Sequence, residues 1–212
     1  KLNIPAHESL KNINFNFKTQ DKITKISNLN FTYREIPISS KRVDVKEKMS
    51  GEYYIEGDIE NTKALINPNL ILKYVNIKQN YLSDKEILVH SKNLFSFVIN
   101  KNKKIKNIEI DSVLNFDEIY FNNKYQNFIF LKEGVINSKF ENEKLTAKLN
   151  TNFAFLDHLN LVNDFKNNNL NLSLSRKNSK KMMIKGNISN GKISADSKIF
   201  LNLFDLNPKL LS

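Results

Sequence analysis

Apolar residues along this chain recur mostly at every second position. Ile13, Phe15 and Phe17 alternate with asparagine in NINFNFK, and Leu29, Phe31 and Tyr33 do the same in NLNFTYR. Val43 and Val45 resume the pattern after a break at Pro37. Ile108 and Ile110 follow in NIEID; Leu145, Ala147, Leu149, Thr151, Phe153 and Phe155 hold it over KLTAKLNTNFAF. Leu170, Leu172 and Leu174 continue in NLNLSLSR, then Ile184, Ile188, Ile193, Ala195 and Ile199. A period of two predicts β-strands with one apolar and one polar face.

The predicted strands are separated by short polar turns at Thr19–Lys22, Asn100–Lys104, Glu141–Lys144 and Asn190–Gly191. Such turns suit antiparallel hairpins, because a parallel crossover needs a dozen or more residues. The expected fold is mainly β: a long antiparallel meander curled into an elongated open groove with one or two short helices. One helix is expected at INPNLILKYVN, where Asn67 suits an N-cap, Pro68 the first helical position, and Leu70, Ile71, Tyr74 and Val75 form a stripe. Asn207-Pro208 repeats that cue near the end of the sequence. DHLNLVNDFK fits helix through Leu159, Val162 and Phe165, and strand through Leu159 and Leu161, so both remain open.

One phrase occurs twice. YYIEGDIEN (Tyr53–Asn61) returns 129 residues later as MMIKGNISN (Met182–Asn190), sharing Ile-x-Gly-x-Ile-x-Asn. A glycine inside a strand marks a bulge, a bend or a close backbone approach. Gly57 and Gly186 are therefore expected to let the sheet curl at related points. The 212 residues are read as a single segment of a larger repetitive β-groove, and Lys1 in place of an initiator Met as the start of an excised piece.

Composition changes this picture only at its margins. Cysteine is absent, which removes disulfides and thiolate metal ligands, and no run approaches the ~18 apolar residues of a spanning helix. The net charge is +11 with a pI near 9.6, which favours anionic partners. Lysine carries that charge, whereas Arg34, Arg42 and Arg176 are scattered, so nucleic acid is not the expected partner. His7, His90 and His158 lack metal-site spacing, and five glycines build no phosphate loop. Asp117-Glu118 and Asp157 with Asp164 are expected to be solvated turn carboxylates. The sequons at Asn30, Asn171 and Asn187 lie in predicted strands, and the basic turn KNKKIK lacks the interleaved aromatics of a strand-binding platform. No catalytic residue, cofactor or metal is expected; the chain reads as a non-enzyme.

VKEKMSGEYYIEGDIEN, the INPNL turn and MMIKGNISNGKISAD, set in an unbroken meander, resemble the AsmA-like family of bacterial envelope proteins, the group that includes TamB and YhdP. The resemblance implies a parent anchored in the inner membrane and extending through the periplasm as a β-groove. It further implies that the apolar inner face conducts phospholipid between inner and outer membranes, with acyl chains as the ligand. The residues expected to line that surface are Phe15, Phe17, Leu29, Phe31, Leu145, Leu149, Phe153, Phe155, Leu170, Leu172 and Leu174. The alternative is a structural β-rich repeat of a surface or secreted adhesin-like protein, with apolar faces packed on one another. A nucleic-acid-binding module, suggested by charge alone, ranks third.

Overall fold

A computed structural model describes residues 10–33, 35–48, 51–69, 82–122, 128–155, 169–177, 181–189 and 194–202. They form one open antiparallel sheet of eleven strands in strict sequence order. The strands are β1 (Lys11–Gln20), β2 (Ile23–Tyr33), β3 (Ile36–Glu47), β4 (Tyr53–Ile66), β5 (Ile87–Ile99) and β6 (Ile105–Tyr120). They continue as β7 (Phe128–Glu141), β8 (Lys144–Phe155), β9 (Asn169–Lys177), β10 (Lys181–Ser189) and β11 (Ser194–Asn202). The expected antiparallel meander is thus the observed topology.

Two connections are two-residue turns of the primed type. Asp21-Lys22 and Asn142-Glu143 carry positive φ at both positions, the hand that matches the strand twist. The longer β5–β6 turn is held by Asn100, whose Oδ1 accepts from the N–H groups of Asn102 and Lys104. At the expected helix, Asn67 Oδ1 accepts from Asn69 N at 2.9 Å, as an N-cap does. Pro68 and Asn69 are helical, and the stripe from Leu70 to Val75 lies outside the described residues. So do DHLNLVNDFK and Asn207-Pro208.

Cross-strand register keeps one side apolar. A single row runs Phe17, Ile26, Val43, Gly57, Phe95, Ile110, Phe140 and Leu145, each paired with the next from β1 to β8. A parallel row nearer the opposite strand ends joins Ala64, Val89, Phe116 and Gly134. Several strands change phase along their length, β4 between these two rows. Apolar residues of β4 fall at Tyr53, Ile55 and Ile59 and then at Ala64 and Ile66; Lys63, with φ 52°, absorbs the extra residue. Asn12, Asn28, Asn107 and Glu133 are the other positive-φ residues inside strands. Lys41, opposite Asn28 on β3, is held by a carboxylate: Asp58 accepts from Lys41 N and Arg42 N, both at 3.0 Å. Each bulge returns the following apolar residues to the same face.

The glycines act differently from the expectation. Gly57 sits in a regular part of the β4–β5 ladder, and the β10 pairings around Gly186 are continuous. The phase changes fall on asparagine, lysine and glutamate instead. Gly57 provides a close approach: a Cβ there would lie 2.8 Å from the Arg42 carbonyl oxygen and 3.1 Å from the Phe95 ring. Gly134 is more crowded, because the Phe116 ring covers it and a Cβ would lie 1.8 Å from Cζ.

The buried core gathers at that second row: Ala64, Ile87, Val89, Phe116, Leu131 and Phe153, with Ile66, Leu114, Ile136, Leu149 and Leu170 packed against it. Gly134→Ala is expected to cost about 1–3 kcal/mol, because the Phe116 ring must leave its place. Urea unfolding should show a smaller cost for the same change in a Phe116→Leu background, since the two positions share one space. Equal costs in both backgrounds would show that the ring does not set the limit.

Candidate functional site: an apolar face divided by a polar band

The apolar face is not uniform along the strands. At the core end it is closed to solvent, with Ile87 at 1% and Phe116 at 3% exposure. At the other end it is open: Ile105 is 54% exposed, Ile110 38% and Tyr53 44%. Phe95 and Phe97 stack there with ring centroids 5.9 Å apart. The same open surface continues to β1, where Ile13, Phe15 and Phe17 are exposed.

A line of polar side chains separates the two halves. Ser112 Oγ donates to Asn93 Oδ1, Asn93 Nδ2 donates to Ser91 Oγ and to the Ile59 carbonyl, and Ser91 Oγ donates to Asn61 Oδ1. Asn61 Nδ2 closes the chain on the Val89 carbonyl at 3.2 Å. The groups run across β4, β5 and β6 in one donor-to-acceptor direction. Such a satisfied network stabilises register, because a slipped strand leaves several of its groups unpaired in an apolar setting. Ser40 extends the line onto β3, buried and with no partner for its hydroxyl among the described residues.

The sequence-derived lining residues divide between two regions of the sheet. Phe15 and Phe17 lie on β1 and Leu29 and Phe31 on β2, at one margin of the sheet. Leu145, Leu149 and Phe153 lie on β8, and Leu170 and Leu172 on β9. Register places all nine on the apolar face, through Phe17↔Ile26, Phe31↔Ile38, Leu149↔Leu172 and the rows between. They are not one contiguous patch, because β3 to β7 stand between the two groups. Of the nine, Phe153 belongs to the buried core. Phe155 and Leu174 hold strand positions opposite Phe128 and Ala147, and their side chains lie outside the described residues.

Sequence reasoning missed most of the middle of the face. Ile87, Val89, Phe95 and Phe97 sit on β5 at alternate positions, but Ser91 and Asn93 interrupt the apolar series. Leu131, Ile136 and Phe140 on β7 change phase at Glu133. The signal for both was a shift or gap in an otherwise regular alternation.

The opposite face is mainly charged, although Leu65, Leu94 and Val113 are exposed on it. Arg42 makes a two-pronged contact with Asp44, which is 1% exposed, and this hydrogen bond holds the Asp44 carboxyl below its ordinary value of 3.8. Lys46 Nζ lies 2.5 Å from Glu56, and its hydrogen bond lowers Glu56 below 4.5 with help from the Tyr54 hydroxyl. Glu118 is lowered first by the Tyr120 hydroxyl, at 2.6 Å, and then by Lys85. Lys85 in turn lies 3.7 Å from the centre of the Tyr120 ring. Glu118 is therefore a strand residue with several partners rather than a solvated turn carboxylate. Asp157 and Asp164 lie outside the described residues. His90, on β5, lies 3.8 Å from Glu60 on the neighbouring strand, a carboxylate that no local spacing announces.

A depression of about 460 Å³ on this polar face is lined by Arg42, Asp44, Glu56, Asp58, Glu109, Asp111, Lys139 and Glu141 among others. Five of its carboxylates already have partners: Asp44 with Arg42, Glu56 with Lys46, Asp58 with the bulge N–H groups, Glu109 with the Ser96 hydroxyl at 3.3 Å, and Glu141 with Lys139 at 2.8 Å. Among the described residues no group of three or more His, Cys, Asp or Glu is arranged to hold a metal ion. The distinctive chemical surface is the apolar face. Comparison with protein-family models, curated proteins and solved structures finds no match to this chain.

Two outcomes test the site's construction. Asn93→Ala leaves the Ser112 hydroxyl and the Ile59 carbonyl without their partner, and is expected to destabilise by about 1–3 kcal/mol in urea titration. Replacing Asn61, Ser91, Asn93 and Ser112 together by apolar residues of similar shape should cost less than the summed single changes, since no group is then orphaned. The second outcome concerns pH. Asp44, Glu56 and Glu118 are all lowered in the folded chain, so their stabilisation is complete above their ordinary values of 3.8, 4.5 and 4.5. It is lost as pH falls from there through the lower folded values. Thermal melts should fall in that acid range, and Asp44→Asn should flatten the decline.

Proposed function

We propose that the chain is a non-catalytic segment of an AsmA-like envelope protein, and that its apolar face carries the acyl chains of phospholipid. The observation that carries this reading is the row from Phe17 to Leu145, which is apolar or glycine on eight successive strands and ends in an open, exposed half-face. A surface of this kind binds methylenes without orienting a polar headgroup, at about 0.8 kcal/mol for each CH₂ buried. Acyl chains on the open half would lie along Ile55, Phe95, Phe97, Ile110 and Phe140. Its setting in this reading is the periplasm, in a parent protein anchored in the inner membrane, and its partners are the envelope membranes. Lysines on the charged face add attraction to anionic headgroups, a component that salt screens.

Site-specific photo-crosslinking with a lipid carrying a reactive acyl chain tests the reading. Probes at Ile110 and Leu149 should label, and probes at neighbouring Asp111 and Lys148, on the charged face, should not. Added salt should leave the apolar labelling in place. Equal labelling from both sets, or none from Ile110 and Leu149 in a folded chain, favours the structural-repeat alternative. Replacing Ile110 with Lys should reduce lipid capture about tenfold or more, since an unpaired ammonium would sit on the acyl path.

A further inference from the structure

We infer that phospholipid lies along the strands on the open half of the apolar face with its headgroup at the β5–β6 turn, where Lys101, Lys103 and Lys104 take the phosphate. The inference rests on the lipid reading above and adds to it an orientation and a headgroup site. The apolar face itself does not orient a headgroup; its two unlike ends do. One end is the polar band, where Asn61, Ser91, Asn93 and Ser112 are hydrogen-bonded among themselves and to the backbone. Beyond it the face closes over the core, where a phosphate would be desolvated without a partner. The other end is the row Tyr53, Ile99 and Ile105, followed directly by the turn Asn100–Lys104.

Length fits this placement. β5 advances six residues from Asn93 to Ile99, roughly 20 Å at about 3.3 Å per residue. One leaflet of a bilayer holds its acyl chains in about half of a hydrocarbon core ~30 Å thick. An acyl chain seated along Ile55, Phe95, Phe97 and Ile110, with its end at the polar band, therefore brings its ester and phosphate to the turn. That turn suits an anion. Asn100 Oδ1 accepts from the N–H groups of Asn102 and Lys104, which holds the lysines on a fixed frame. Lys101, Lys103 and Lys104 are exposed, and among the described residues none of them is paired with a carboxylate. Of the carboxylates around the neighbouring β3–β4 turn, Glu52 is taken by Lys106 at 2.6 Å, and Glu47 is offset in charge by Lys48. KNKKIK has no aromatics of its own, but register brings Tyr53 and Phe97 to its base.

The hairpin also stands clear of the next one. β7 meets β6 from Phe140↔Ile110 onward, leaving Ile105–Glu109 without a β7 partner among the described residues. The notch beside it measures about 750 Å³ and is lined by Ile105, Lys106, Ile108, Glu109, Phe140 and Glu143 among others. It gives glycerol and phosphate room next to the lysines.

Two photoreactive forms of phosphatidylglycerol test the orientation, one with a diazirine on the headgroup and one with it at the acyl-chain end. Presented to the whole chain in phosphatidylcholine vesicles, the headgroup form should label Asn100–Lys106, and the chain-end form should label around Asn61, Asn93 and Ser112. Lys101→Gln, Lys103→Gln and Lys104→Gln together should lower capture of phosphatidylglycerol about tenfold or more, as expected of three lysines beside an anionic lipid. The same change at Lys25, Lys92 and Lys148, on the charged face, should lower it about threefold at most, because salt screens distant charges. Reversed labelling, headgroup label spread evenly over the Asp21-Lys22 and Asn142-Glu143 turns, or equal losses from the two triple variants overturns the inference. In each of those cases chain-end labelling of the apolar face leaves the lipid reading standing. No chain-end labelling of that face in a folded chain defeats both.

Discussion

Holding most of the apolar side chains on one face of nine consecutive strands, β1 to β9, is the constraint on which everything else described in this structure rests. A strand of period two tolerates no net slip of one residue, because every following side chain would change sides. Here the apolar positions themselves change phase within several strands, and the backbone answers each change with a local irregularity. Asn12, Asn28, Lys63, Asn107 and Glu133 take positive φ where one residue must be absorbed. Non-glycine residues pay roughly 1–2 kcal/mol for that conformation. The cost is smaller than turning a run of Phe, Ile and Leu into water, at about 1.5–3 kcal/mol per side chain.

The same constraint explains the charged face. Once apolar residues are confined to one side, lysines and glutamates from adjacent strands stand beside one another on the other. Lys46 with Glu56 across β3 and β4, and Lys139 with Glu141 along β7, are neighbours produced by strand position, while Lys106 of β6 reaches past β5 to Glu52, just before β4, at 2.6 Å. Each exposed pair contributes little alone, in the range of about 0–1 kcal/mol. Asp44 and Asp58 do more, because one is sequestered against Arg42 and the other satisfies two bulge N–H groups.

The polar band gives the apolar face two unlike halves. Burial at the core end supplies packing, and the open end leaves aromatic and aliphatic surface available. Asn61, Ser91, Asn93 and Ser112 lie between them with their hydrogen bonds turned on one another and on the backbone.

The alternation in NINFNFK, NLNFTYR and KLTAKLNTNFAF by itself determined strands there, and the short turns determined that neighbours pair antiparallel. β8 was legible throughout because it never changes phase. β5 was hidden by Ser91 and Asn93, polar residues on the apolar side whose placement only their cross-strand partners explain. The second half of β6 and all of β7 were hidden because Asp117 and Glu133 shift the phase together, and no single strand reveals that its neighbour shifts too. Tertiary structure also decided which glycine mattered: Gly57 and Gly134 are fixed by what packs over them, Phe95 in one case and Phe116 in the other, rather than by their own backbone freedom. Local pattern specifies the period of a strand, whereas its phase relative to ten others is settled only when their side chains meet.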